Sequence, residues 1–242
     1  MEWSQNSATN AYLDTLKLCN KHTENCNSWK TPEPESKEFL SALAAGMSSK
    51  LIVEVTSEVS PSTIALAAAA RQTGGKFVCI LPEPTLDKSQ KVIEDSGLND
   101  MVEFKTGDPV ELLPDYENID FSLVDCKSDN YRRVLKLLDV NPRRSVVVAN
   151  NLVEGRKGLG GHVKGVENKV AVRSMENVIG NGMEVTMIGK SAEFWKRDRG
   201  TGGHRRTEKK SGLVKKTDKS KWVVKVDEKS GEEHIFRLPR SH

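Results

Sequence analysis

Between residues 51 and 149 the chain alternates short, largely apolar runs with longer stretches whose apolar residues fall three and four apart. The runs are Leu51-Ile52-Val53-Glu54-Val55, Lys76 to Leu81, Val102 to Lys105, Phe121 to Val124 and Ser145 to Ala149. A strand apolar at nearly every position is covered on both faces, and the periodic stretches between the runs supply helices to cover it. The pattern therefore predicts an α/β domain with a mostly parallel sheet, its crossovers being helices at Pro61 to Thr73, Leu86 to Gly97, near Pro109 to Leu113, and Ser128 to Leu138. Pro61 and Gly97 stand where a proline opens and a glycine closes a helix. Such sheets hold ligands beyond the carboxyl ends of their strands, near the point where strand order reverses. The residues placed for function are those following Val55, Ile80, Lys105, Val124 and Val148.

Flanking segments complete the expected architecture. Ser7 to Cys19 carries Ala8, Ala11, Tyr12, Thr15, Leu16 and Cys19 at helical steps, with Ser7 placed to cap. A polar, proline-bearing connector over Lys21 to Ser36 leads to a second helix, Ser36 to Gly46. Past a glycine-rich stretch from Gly155 to Gly165, two strand-like runs, Lys169 to Arg173 and Met183 to Ile188, are joined by Asn177 to Gly182. So short a connection implies an antiparallel hairpin closing the sheet edge, for seven strands in all. At the end of the chain Trp222 to Val226 and Glu233 to Leu238 flank a turn at Ser230-Gly231, a second hairpin.

Charge divides the 242 residues. The net charge of +3 combines a segment, 189–221, holding twelve Lys/Arg against four acids with a first part, 1–188, holding 21 bases and 26 acids. The expected map is a folded domain over 1–188, a basic, disordered linker over 189–221 and a β-hairpin over 222–242. Cys19, Cys26, Cys79 and Cys126 are widely spaced with no CxxC pair, which reads as reduced thiols rather than disulfides or a metal site. No basic leader followed by an apolar stretch and no run of about 18 apolar residues occurs, so a soluble protein is expected, cytoplasmic with a nuclear address as the alternative, and no membrane partner.

The strand ends carry a pattern. Phe121-Ser122-Leu123-Val124-Asp125-Cys126-Lys127-Ser128-Asp129-Asn130-Tyr131, the later Ala149-Asn150-Asn151-Leu152-Val153-Glu154-Gly155, and Ile179-Gly180-Asn181-Gly182-Met183-Glu184-Val185 together resemble the small O-methyltransferases of the caffeoyl-coenzyme A and catechol type. The resemblance covers about 150 residues. At full length, from Trp3 and Tyr12-Leu13 to the Trp222 hairpin, the chain is more similar to an uncharacterised plant family described as methyltransferase-like. The resemblance implies a Rossmann-like, class I methyltransferase fold and S-adenosylmethionine (SAM) as cofactor.

It also assigns residues. Glu54 stands for the family's acid at the end of the first strand, whereas Thr56 and Ser60 fill its glycine positions, each adding a Cβ where ligand would lie. Ser62 matches the terminal serine of that loop. Leu81 replaces the carboxylate that accepts from the ribose hydroxyls, and Glu83 substitutes for it if the loop turns back. Gly107-Asp108 fits the adenine-side turn, and Asp125 keeps the fourth-strand acid. Of the family's three oxygen ligands for a divalent cation, Asp125 and Asn150 match, but Ala149 replaces the second aspartate, and a one-residue slip offers only neutral Asn151. Loss of one of two anionic ligands from a hard-cation site removes most of its affinity, so metal-dependent catalysis is not expected.

Two catalytic candidates remain. Lys127 is either a general base, if desolvated, or a surface cap. His162 lies near the expected cleft without a partner motif. Gly158-Leu159-Gly160-Gly161 reads as a phosphate cradle or as a loop over the strand ends. The basic segment, 190–221, with Trp195 and the following Trp222, reads as a nucleic-acid contact, a nuclear address, a contact for an acidic protein or a solvated linker. Two functions follow: a SAM-dependent methyltransferase with an unidentified acceptor, binding its cofactor weakly, or a pseudoenzyme scaffold that binds nucleic acid or protein through its basic end.

Overall fold

The computed structural model describes residues 3–23, 36–152, 156–159, 171–177, 182–189, 222–226 and 233–237. His162, Gly160, Gly161, Cys26, most of the connector after the first helix and the basic segment 190–221 lie outside the described residues. The chain divides into two compact units, Met1–Arg199 and Gly200–His242.

The first unit opens with helices α1 (Gln5–Thr23) and α2 (Ser36–Gly46). Then come β1 (Leu51–Val55), α3 (Pro61–Thr73), β2 (Lys76–Leu81), α4 (Leu86–Asp95), β3 (Val102–Thr106) and the short α5 (Pro109–Leu112). The unit closes with β4 (Phe121–Asp125), α6 (Tyr131–Leu137), β5 (Arg144–Asn150), β6 (Ala171–Asn177) and β7 (Met183–Gly189). The sheet runs β3-β2-β1-β4-β5-β7-β6, with β1 to β5 parallel and β7 antiparallel to both β5 and β6. Strand order reverses between β1 and β4, which places the cleft of such a fold at their carboxyl ends. In the second unit β8 (Trp222–Val226) pairs antiparallel with β9 (Glu233–Arg237).

Both faces of the sheet are covered, as the largely apolar runs require. Ile52, Phe77, Cys79, Phe121 and Leu123 pack with the first three helices and Ile93 of α4, while Val53, Val78, Ile80, Val124 and Val147 pack with Tyr131, Val134 and Leu135 of α6. Burial of each such side chain contributes about 1.5–3 kcal/mol. The run Ala67-Ala68-Ala69-Ala70 is fully buried, its short side chains letting α1 and α2 lie against α3.

Several element ends differ from the sequence expectation. The cap of α1 is Ser4, whose Oγ accepts the Ser7 N–H at 3.2 Å; Ser7 sits inside the first turn. Helix α6 starts at Tyr131 rather than Ser128, because Ser128 to Asn130 form a turn in which Ser128 Oγ donates to Asn130 Oδ1. Strand β6 extends to Asn177, past the expected Arg173, because pairing with β7 continues as far as Asn177 opposite Met183. The expected strand start at Lys169 lies outside the described residues.

Candidate functional site

A cleft of about 370 Å³ opens where strand order reverses. It is walled by Val55, Ile80, Leu81, Pro82, Val124 and Val134, with Asp108, Asp125, Ser128 and Asn130 as polar groups. Gly107 reaches this wall with φ 137°, a conformation that L side chains rarely adopt, so the turn between β3 and α5 depends on a glycine here. A smaller cavity of about 60 Å³ adjoins it, sharing Thr56, Ser57 and Asp125 and adding Glu54, Glu58, Ser60, Ser62, Lys127, Asn150 and Asn151.

Glu54 is 1 % exposed on β1. Burial pushes its carboxyl up to about 8, with the nearby Asp125 charge adding to the shift, against hydrogen bonds from the Thr63 hydroxyl and Cys79 that lower it. At neutral pH Glu54 is therefore a neutral acid. The thiol of Cys79 donates to Glu54 Oε2 at 3.7 Å, while the Thr63 hydroxyl also accepts the Ser60 N–H at 3.1 Å. Ser60 in turn caps α3, its Oγ accepting the Ser62 N–H at 3.2 Å in a reciprocal capping box with Thr63. Ser60, at one of the positions where the resemblance implies a glycine, thus caps a helix. Thr56 is similarly committed, donating to Glu58 O at 2.9 Å.

The remaining assigned residues divide. Asp108 caps α5, accepting the Val110 N–H at 2.8 Å through one carboxylate oxygen, and lines the cleft. Glu83 sits in a single exposed 3-10 turn after β2 and is not among the residues that line the cleft, whereas Leu81 is. Lys127 is exposed and borders the small cavity. His162 lies outside the described residues.

Asp125 and Asn150 stand opposite one another at the ends of β4 and β5. Asp125 Oδ1 accepts the Lys127 N–H at 3.2 Å and the Asn151 side-chain amide at 2.8 Å, Asn151 having φ 59°. Two donors therefore occupy one oxygen of that carboxylate. Ala149 beside it offers no ligand and Glu54 holds its proton, which leaves Asp125 and the Glu58 carboxylate as the acids there, and among the described residues no three His, Cys, Asp or Glu are grouped to hold a metal. The strand ends thus lack the second aspartate of the expected three-oxygen set.

The segment 156–159 has no periodicity that marks it as a structural element. Arg156 donates to the carbonyls of Cys126, Lys127 and Ser128 and lies 5.5 Å from the Tyr131 ring centroid. Tyr131 Oη donates to Lys157 O at 3.1 Å, and Leu159 is buried beside β4 and α6. The described part of the glycine-rich stretch is thus a strap that holds the β4–α6 turn, one wall of the cleft. Cys126, beneath that turn, has its thiol pushed by burial up to about 12, which excludes a thiolate nucleophile.

A family model described as a protein of unknown function (DUF1442) matches residues 1–238, and the chain belongs to that family. No curated protein matches it. Among solved structures it is similar to a methyltransferase from Geobacter sulfurreducens, with TM-score 0.52 and 20% identity, covering 75% of this chain and 96% of that one. It is also similar to an O-methyltransferase from Bacillus cereus in complex with S-adenosylhomocysteine (SAH), with TM-score 0.50, 22% identity and coverage of 73% and 90%. An SAH-bound methyltransferase from Podospora anserina gives TM-score 0.50 at 16% identity, covering 78% and 90%. These likenesses establish the fold: α/β, mostly parallel with an antiparallel edge pair, and Rossmann-like as in methyltransferases. Among the described residues no helix is long and apolar enough to cross a membrane.

Proposed function

We propose that this member of the DUF1442 family binds an adenosine-bearing molecule, such as SAM or SAH, in the cleft at the ends of β1 to β4, and that any methyl transfer it performs uses no divalent cation. The observation that carries the reading is the cleft itself, about 370 Å³ at the switch point of a methyltransferase fold, with apolar walls and a few convergent polar groups. Leu81, Pro82 and Val134 offer flat apolar contact to a base, and Asp108 and Asp125 offer acceptors to its amine and to ribose hydroxyls. SAM, when bound, supplies a transferable methyl group; the protein's part is to hold it and keep water out. The catalytic role of Lys127 stays a proposal of the same rank, resting on its place at the small cavity.

Calorimetric titration of the full chain with SAM and SAH, with and without Mg²⁺, tests this. A saturable heat in the micromolar to millimolar range, unchanged by Mg²⁺ and weakened roughly tenfold by Asp125→Ala, is expected. Absence of heat at millimolar ligand would refute the reading, and a tenfold tightening by Mg²⁺ would refute its metal-free half.

A second role is supported by charge. We infer that the segment 190–221, with twelve Lys/Arg against four acids, binds nucleic-acid phosphate. Single-stranded RNA affinity should fall steeply with salt, and replacing Lys209, Lys210, Lys215 and Lys216 by Ala should flatten the log–log slope by about 0.7 for each phosphate no longer neutralised. Salt-independent binding, or an unchanged slope, rules that role out.

A further inference from the structure

Resting on the reading that the cleft holds adenosine, we propose that its ligand is recognised as an uncharged nucleoside and that an amino-acid or phosphate tail gains nothing. Two independent observations carry this. The first is that the amino end of α3 has already spent its donors. Thr56 N–H bonds Ile80 O at 3.1 Å, Ser60 N–H bonds Thr63 Oγ1 at 3.1 Å, Ser62 N–H bonds Ser60 Oγ at 3.2 Å and Thr63 N–H bonds Ser60 O at 3.0 Å. Pro61 has no N–H to give. The amino end of α3 thus holds a serine hydroxyl where a bound carboxylate or phosphate would accept. The cavity in front of it, about 60 Å³, has room for roughly four waters and not for an extended zwitterionic tail.

The second observation is charge. Among the described residues, those lining the cleft include Asp108 and Asp125 and no Lys, Arg or His. A phosphate brought there meets two carboxylates in a partly desolvated site, where like charges repel more strongly than in water. Lys127 borders only the small cavity, beside Glu58, Asp125 and neutral Glu54. Arg156 is turned to the carbonyls of Cys126, Lys127 and Ser128 and the carboxylate of Asp129. Neither cation reaches the walls of the cleft. What the cleft presents is apolar surface for a base and hydrogen-bond acceptors for hydroxyls, the complement of a neutral nucleoside.

Titrations of the full-length protein with adenosine, SAH and adenosine monophosphate at low and high salt decide the matter. Adenosine and SAH should bind within about threefold of one another, and the monophosphate at least tenfold more weakly at low salt. That gap should narrow in high salt and in Asp125→Asn or Asp108→Asn variants, each checked for an unchanged thermal transition. SAH binding thirtyfold tighter than adenosine would overturn the proposal and leave the cleft as an adenosine site; so would a monophosphate bound as tightly as adenosine. Failure of all three to bind would overturn both this proposal and the reading beneath it.

Discussion

The variant Glu54→Gln should melt on the order of 10 °C above the parent protein at pH 8.5 and within a few degrees of it at pH 5. The reason is the burial of a carboxyl on β1 whose folded value lies near 8 against an ordinary 4.5. A group whose folded value is raised favours folding below its unfolded value and ceases to do so as pH rises. Between about 4.5 and 8 the unfolded chain has released this proton while the folded chain retains it, so stability falls with pH by about 1.4 kcal/mol per unit. Summed over that window, the loss is of the order of 3–5 kcal/mol, complete above pH 8. Glutamine has nearly the same shape, keeps one acceptor oxygen for the Thr63 and Cys79 donors, and never ionises, so it removes the loss. Paired thermal melts from pH 5 to 9 measure it. An equal difference between the two proteins at both ends of that range would show that Glu54 does not hold its proton, and a less stable variant at pH 8.5 would show that its charge is needed.

That neutral acid illustrates what the sequence can and cannot disclose. Strands β1, β2, β4 and β5 are legible because a strand buried on both faces is largely apolar, whereas the edge strand β3, half-buried throughout, shows the alternation Val102-Glu103-Phe104-Lys105 instead. The acids at strand ends are legible by position, since Glu54 and Asp125 interrupt those runs. Their states are not, because the value near 8 at Glu54 depends on burial under the roof that α3 places over it, partly offset by the bond from Cys79, 25 residues away. Against the methyltransferase pattern Ser60 reads as a lost glycine, although Ser60-Pro61-Ser62-Thr63 carries the local signature of a helix start: a hydroxyl cap, a proline at the first position and a hydroxyl three residues on. The start of α6 escapes a reading of sequence for a non-local reason. Its preceding turn is held open by Arg156, which no periodicity connects to Ser128. The bond from Asn151 to Asp125 is likewise hidden, since it requires Asn151 in a left-handed conformation that asparagine tolerates but composition does not announce.

The opposite end of the sheet yields the other large effect. Asp120→Ala should lower stability by about 3 kcal/mol, roughly 10 °C in melting temperature, with the denaturant slope unchanged. Asp120 precedes β4, and one oxygen of its carboxylate accepts the N–H groups of Lys50 at 2.8 Å and Leu51 at 3.2 Å. Its other oxygen accepts the Asn141 amide at 2.9 Å, just ahead of β5. Its backbone continues the same join, donating to Leu51 O at 3.0 Å and accepting from Val146 N at 2.9 Å. One side chain therefore ties the amino ends of β1, β4 and β5, and alanine leaves those donors without a partner. The Asp120→Asn variant should lose about half as much, because its single oxygen can keep the Lys50 and Leu51 pair while its amide faces the donor on Asn141. Urea midpoints of the three proteins check the order; a loss below about 1 kcal/mol for alanine would mean that water replaces the carboxylate at no cost. The tie also reaches the cleft through register. Ile52 pairs with Phe121 and Val55 with Val124, so the offset fixed at the amino ends decides which side chains stand at the carboxyl ends, about 15 Å away. A slip of one residue would turn Val55 and Val124 away from the cleft and their neighbours into it. Folded Asp120→Ala protein that retains parental adenosine affinity would show that the hydrogen-bonded ladder, once formed, holds that register without the tie.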